Sequence, residues 1–234
     1  MTSEQEQGTT GADGERTAPR RVALLHTGAV VIAPVMELVR EQLPGVTAVN
    51  YLDDRIVADL SDPATAASVP GRVGALARAA VDGGAEAVLL TCSSISWLAA
   101  PTAEAVGVPV LRIDEAMADR AVATGRRVAV LATLPTTCGP TCDLVQERAR
   151  LAGVAVELTS RVVEGAFEAV SSGDRATHDR LVAAAIEEAA RTSDVVVLAQ
   201  ASMASAASAV EVGTPVLTSL DLGVQRFRDL VLDL

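Results

Sequence analysis

Lysine is absent from this chain; all 19 basic residues are arginines. Without a lysine amine no Schiff base forms, which excludes pyridoxal-phosphate enzymes and class I aldolases. Aromatic residues are sparse, four in 234, so the core has to be built from Ala, Val and Leu. The cysteines, at 92, 138 and 142, are too few for a disulfide framework, and a reducing cytoplasm is the expected location. An excess of positive charge is also missing. The formal net charge is −11, which leaves no surface for neutralising phosphates, so nucleic acid is not expected as a partner. No GxGxxG or P-loop pattern occurs, and no His/Cys cluster offers ligand spacing, so neither a nucleotide cofactor nor a metal is expected. The apolar run after Arg20-Arg21, VALLHTGAVVIAPV, is interrupted by Pro34 and Glu37 and is not expected to span a membrane. Residues 1–19 are polar and acidic, with no apolar segment behind a basic start, and read as a disordered tail rather than a signal peptide.

What the chain does contain is a repeat. RRVALLHT (20–27) and RRVAVLAT (126–133) are identical at six of eight positions, at an offset of 106. VLLTCSSI (88–95) aligns with VVLAQASM (196–203) at 108, and VPVLRID (108–114) with TPVLTSL (214–220) at 106. Three landmarks in one order at nearly constant offset indicate duplication.

Each half alternates short Val/Leu-rich strands with helical patterns. Strands are expected at 22–27, 46–52, 87–91 and 108–113, then at 127–132, 154–159, 194–199 and 215–218. Helices are expected at 33–43, 70–82, 94–106 and 115–124, then at 140–152, 176–191, 202–211 and 221–232. Continuously apolar strands between helices mean parallel sheets covered on both faces. The expected fold is α/β, with two pseudosymmetric lobes, each a parallel sheet flanked by helices, and the active site in the cleft between them. The lobes are expected at 20–120 and 121–218, joined near 115–126, with a C-terminal helix at 219–234 packing back on the first lobe.

Ligands of such sheets collect at the carboxyl ends of strands. There the sequence places His26-Thr27-Gly28, Cys92-Ser93-Ser94, Thr133 through Thr137, and Gln200-Ala201-Ser202. Cys92 lies where a strand passes into a helix, a setting that lowers a thiol pKa and produces a nucleophile or proton acceptor; a cysteine there can equally fill space. Ser93, Ser94 and the neighbouring amides would make a carboxylate site. His26 would take the Cys92 proton or be satisfied structurally. His178, in the polar stretch GDRATHDR, reads as a solvated helix residue. Cys142 reads as helix packing, and Cys138 as bordering the cleft without a catalytic role. Asp53, Asp54 and Glu164 read as helix caps or contacts for a substrate amine.

With these motifs, residues 20–234 resemble the aspartate/glutamate racemase superfamily, which also holds hydantoin racemases, maleate isomerases and arylmalonate decarboxylases. The resemblance implies a cofactor-independent enzyme in which two cysteines, one per lobe, exchange protons at the carbon beside a carboxylate. Cys92-Ser93-Ser94 matches the first cysteine motif, Cys-Asn-Thr in glutamate racemases. His26-Thr27-Gly28 matches Asp-Ser-Gly, and Gln200-Ala201-Ser202 matches Cys-Thr-His. Gln200 therefore stands where the second cysteine would be, and glutamine does not exchange a proton near neutral pH.

The implied activity is an isomerase of racemase, epimerase or cis-trans type acting on a small carboxylic acid. Cys92 and His26 would be catalytic, with Thr27, Ser93, Ser94, Thr133, Thr136, Gln200, Ala201 and Ser202 binding substrate. A decarboxylase of a malonate-like acid using Cys92 as proton donor, and an inactive two-lobed binder, are the alternatives. Relatives are often dimers or larger, so a homo-oligomer is compatible with the resemblance.

Overall fold

The computed structural model describes residues 20–234; the tail expected at 1–19 lies outside the described residues. The first half runs β1 (Arg21–His26), α1 (Ile32–Gln42), β2 (Thr47–Leu52), α2 (Ile56–Leu60), α3 (Val69–Asp82), β3 (Ala87–Leu90), α4 (Ala99–Val106), β4 (Val110–Arg112) and α5 (Glu115–Thr124). The second runs β5 (Arg127–Ala132), α6 (Pro135–Leu151), β6 (Glu157–Val162), α7 (Ala166–Ser171), α8 (Arg175–Ala190), β7 (Val195–Leu198), α9 (Ala204–Ala207), β8 (Val216–Leu217) and α10 (Ser219–Asp233). Two separate four-stranded sheets result, ordered β2-β1-β3-β4 and β6-β5-β7-β8. Every pairing is parallel.

The central strands are apolar on both sides because both faces are covered. From β1, Ala23 and Leu25 pack under α3 and α4, while Val22 and Leu24 pack under α1. From β5, Val128, Val130 and Ala132 pack under α6, and Ala129 and Leu131 under α8. The helix that follows each fourth strand does not return to its own sheet. Met117, Ala118, Ala121 and Val122 of α5 join the core built on β5 and β7; Leu220, Val224, Phe227 and Val231 of α10 join the core built on β1 and β3. Arg226 of α10 bonds Glu115 (3.0 Å) and Asp119 (2.6 Å) of α5, so the two exchanged helices are also tied to each other.

Differences from the sequence expectation have local causes. Helix α6 starts at Pro135, five residues before the expected start, because a proline at the first helical position needs no N–H; Pro140 then lies inside the helix. Strand β6 is displaced by three residues to the polar segment ELTSRV, since an edge strand of the sheet does not require an apolar run. Helices α2 and α7, of five and six residues, are too short to announce themselves by periodicity.

Asp194 shows how the second sheet is pinned. Ahead of β7, its carboxylate accepts from the backbone N–H groups of Arg127 (2.8 Å) and Arg126 (2.9 Å) and from the Arg127 guanidinium (2.7 Å). The Arg127 N–H and guanidinium, then the Arg126 N–H, hold its pKa down to about 2. That is below the unfolded value of about 3.9. The stabilisation is therefore complete above about pH 4 and is lost as the pH falls through about 2. Melting temperatures of wild type and Asp194→Asn are expected to differ above pH 4 and to converge toward pH 2; a constant difference over that range would contradict this role.

Candidate active site

In each sheet the chain order reverses between its two central strands, β1 and β3 or β5 and β7. Crevices at such switch points are where open α/β sheets take ligands. A single cavity of about 620 Å³ reaches both: Thr27, Gly28 and Thr91 through Ser94 line it from the first lobe, Leu134, Thr137 and Ala199 through Ser202 from the second. The size falls in the range of small-molecule sites.

Cys92 is half-buried in this lining. After β3 the chain makes a turn and a 3-10 turn before α4 begins at Ala99. The Ile95 N–H (3.2 Å) and the Ser96 hydroxyl (3.1 Å) donate to the Cys92 carbonyl oxygen and fix the loop. Among the described residues, the backbone N–H groups of Ser93 and Ser94 donate to no protein acceptor. The corresponding groups of Ala201 and Ser202 are also without one. Both lobes thus offer unpaired donors to the same cavity. Ser94 Oγ lies 3.0 Å from Thr137 Oγ1, a hydrogen bond that joins the lobes.

His26 is fully buried and is not part of the cavity lining. In the parallel register His26 and Leu24, with their partners Leu52 and Asn50, share one side of the sheet. The ring Nε2 is 2.8 Å from Asn50 Oδ1, and Nδ1 is 2.8 Å from Thr91 Oγ1. With the Asn50 oxygen facing the ring, Nε2 carries the proton, and the single proton of the Thr91 hydroxyl faces two acceptors, Nδ1 and the Leu25 carbonyl oxygen (3.0 Å). Burial lowers the His26 pKa, and the Asn50 bond only partly opposes it, so the ring is neutral at pH 7. Both nitrogens are occupied, and neither is bonded to the Cys92 sulfur. The histidine–cysteine contact expected from the sequence is therefore not formed; His26 braces Thr91, which does line the cavity.

In the second lobe, Thr133 directs both its backbone N–H and its hydroxyl (3.0 Å) to Gln200 Oε1. With the oxygen held, the Gln200 amide N–H₂ is the free end of the side chain. Thr133 is thus buried behind Gln200 and does not line the cavity. Thr136 does not line it either, and its Oγ1 is buried without a partner. Thr27, Ser93, Ser94, Gln200, Ala201 and Ser202 all do.

Cys138 faces the core of the second lobe, not the cavity. The Cys142 thiol donates toward it, which favours a Cys138 thiolate and pushes Cys142 up. His178 is not solvated but fully buried, because it shares a helix face with Val182, Ala185 and Ile186; its Nδ1 lies 2.7 Å from Asp179 Oδ1. Asp53 is engaged by Arg72 (Nε to Oδ2, 2.8 Å), whereas Asp54 lines the cavity and Glu164 does not.

Sequence reading missed Thr91, Val31, Ser219, and the α2 and α7 residues Val57, Ala58, Phe167 and Val170, all of which line the cavity. A signal was present for α2 and α7. Residues 53–61 align with 163–171 at an offset of 110 (DDRIVADLS and VEGAFEAVS), each directly after the second strand of its half. Among the described residues, no group of three or more His, Cys, Asp or Glu side chains is arranged to hold a metal ion. No helix there is long and apolar enough to cross a membrane.

Two parallel-sheet lobes with exchanged helices and a cavity at the paired switch points define the class: a duplicated two-lobed α/β protein. Residues 24–227 match the model of the Asp/Glu/Hydantoin racemase family, and the chain belongs to that family. The fold is similar to that of a glutamate racemase isoform from Bacillus anthracis, with 14% identity, a TM-score of 0.74, and 93% of this chain and 83% of that one covered. It is also similar to an allantoin racemase from Klebsiella pneumoniae (18%, TM-score 0.68, 91% and 88% covered). A third similar structure is an arylmalonate decarboxylase (23%, TM-score 0.57, 90% and 91% covered). Comparison with curated proteins gives no match.

Proposed function

We propose that this family member is a cofactor-independent isomerase of racemase or epimerase type that acts on a small carboxylic acid, with Cys92 transferring the proton at the α-carbon. The observation that carries this reading is the chemistry of the lining. Among the lining side chains only Cys92 and Asp54 are of ionisable type, and only Cys92 stands beside the unpaired amides of its own loop.

A carboxylate held by the Ser93 and Ser94 N–H groups and by the free amide of Gln200 would present its α-carbon to the thiol. Removing that proton moves charge onto the carboxylate, where preorganised donors stabilise it most. The Thr91 hydroxyl proton is held by His26 and Leu25, so Thr91 would shape the wall beside the acid, and His26 acts through it and not on the reacting proton. Incubation of candidate acids in heavy water, followed by NMR at the α-carbon, tests the reading. Deuterium entry is expected for the substrate. Acids that bind without any exchange would instead mark a two-lobed binding protein.

One observation favours a second reading. The loop of the second lobe corresponding to Cys92 presents an amide fixed by Thr133, which cannot exchange a proton. A single thiol suffices to protonate the enediolate left when a malonate-like acid loses carbon dioxide, and carbon dioxide release in the same assays identifies that case. Gln200→Cys is expected to create or increase racemisation by supplying a second thiol, read by chiral chromatography. No change in the enantiomer ratio with the variant folded would place Gln200 outside the reach of the α-carbon.

A further inference from the structure

The proton-transfer reading leaves the substituent on the α-carbon unspecified, but the cavity does not. The loops after the central strands supply Thr27, Cys92, Ser93, Ser94 and Gln200, whereas the segments after the outer strands β2 and β6 supply Asp54, Val57 and Ser61 in one lobe and Phe167, Val170 and Ser171 in the other. Beside the polar groups of these flanks, Val57, Phe167 and Val170 make an apolar stretch of wall. Among the lining residues the sole charged side chain is the exposed Asp54, which would repel a second carboxylate brought near it.

The two flanks are also unequal. Val57 and Phe167 occupy the same place in the repeat, and the second lobe carries the aromatic ring. There are two phenylalanines in the chain. Phe227 is fully buried in the core, but Phe167 stays half-exposed on the cavity wall. A ring left partly in water gains by burial against an apolar or aromatic group.

Resting on the proton-transfer reading, we infer that the substrate is a carboxylic acid whose α-carbon bears a bulky apolar group, aromatic by preference, and no second charged group beyond the reacting carbon. Phe167 and Val170 receive that group, and Phe167 is the residue that selects for it. Acids with a distal carboxylate are disfavoured because they would leave a charge against Val57 and Phe167.

Calorimetric titration of the full chain with phenylacetate, acetate, succinate and phenylalanine tests the inference. Phenylacetate is expected to bind at least about tenfold tighter than acetate or succinate, the order of one buried apolar group. Phe167→Ala is expected to reduce that preference about tenfold, and Phe167→Leu to keep most of it. Acetate or succinate binding as tightly as phenylacetate, or an unchanged preference in Phe167→Ala, overturns the inference. Phenylalanine binding more weakly than succinate also overturns it, because its aromatic side chain is the group the wall should receive and its ammonium lies on the reacting carbon.

Deuterium exchange by the wild-type protein, measured with the same acids, separates this inference from the one beneath it. A preference for phenylacetate with no acid showing deuterium exchange would remove the proton-transfer reading and leave the apolar site. Exchange of polar acids without that preference would do the reverse.

Discussion

Cys92→Ala is expected to slow deuterium exchange at the substrate α-carbon by about 10²–10⁴-fold, the usual worth of a positioned acid or base, while substrate still binds. The expectation follows by elimination. Hydroxyls from Thr27, Thr91, Ser93, Ser94, Thr137, Ser202 and Ser219, and the amide of Gln200, line the cavity without titrating near neutral pH. The His26 ring has both nitrogens committed to Asn50 and Thr91. Asp54 is the one other ionisable side chain of the lining, and it enters from the segment between β2 and α2. Asp54→Asn is expected to leave exchange within a few-fold of wild type. Binding is expected to survive in Cys92→Ala because the proposed carboxylate donors, the Ser93 and Ser94 N–H groups and the Gln200 amide, are not touched by the substitution. The comparison is decisive in either direction: equal exchange rates in the variant and wild type would remove Cys92 from the chemistry.

The second large effect is on stability. Gly223 of α10 lies so close to the β4–α5 connection that a Cβ there would sit 2.2 Å from the Ile113 carbonyl oxygen and 2.6 Å from its Cγ1. No real Cβ tolerates that distance, and the obstacle is backbone, so a rotamer change does not relieve it. Gly223→Ala must move α10 off the first lobe, together with Leu220, Val224, Phe227 and Val231, which complete the core on β1 and β3. A cost of about 3 kcal/mol is expected, outweighing the roughly 1 kcal/mol gained in helix propensity. For a chain of this size the net loss of about 2 kcal/mol corresponds to a melting temperature lower by about 4–8 °C. Gly74→Ala is the control. It lies in α3, where a Cβ meets nothing within 4 Å, and is expected to be neutral or to stabilise by up to about 1 kcal/mol. Thermal unfolding of both variants tests the pair, and an unchanged melting temperature for Gly223→Ala would mean that α10 does not approach Ile113 this closely.

The exchange of α5 and α10 explains why that contact carries so much. Each sheet is finished by a helix from the other half of the repeat, so displacing either helix opens a core in the lobe it covers and pulls on the ion pairs of Arg226 with Glu115 and Asp119. The cavity floor is held by the same closure, with Ser94 and Thr137 bonded across it.

How much of this was legible can be read residue by residue. The strand that ends in Leu90 and the loop that follows it were visible because a buried parallel strand must be apolar and its carboxyl end must carry the polar residues; Cys92, Ser93, Ser94 and Gln200 were found that way. The duplication, written in the strands themselves, gave the two lobes. Hidden were features whose cause is a neighbour distant in sequence. His26 looked like a partner for Cys92 because both end central strands, but its ring direction is set by Asn50 on β2 and Thr91 after β3, both ahead of Cys92. His178 looked solvated because its sequence neighbours are polar, although its helix face is apolar. Phe167 and Val57 sit on helices of one to two turns, which leave no periodic trace.

The sequence by itself therefore determined the alternation of elements, the parallel sheets, the pairing of lobes and the strand-end loops that line the cavity, because hydrophobic period and repeat offset are local properties of the chain. Only the tertiary structure decided which lobe each terminal helix completes, which hydrogen bonds consume His26 and Gln200 Oε1, and which apolar residues wall the cavity. These depend on distances between segments far apart along the chain, and such distances arise only when the two cores close.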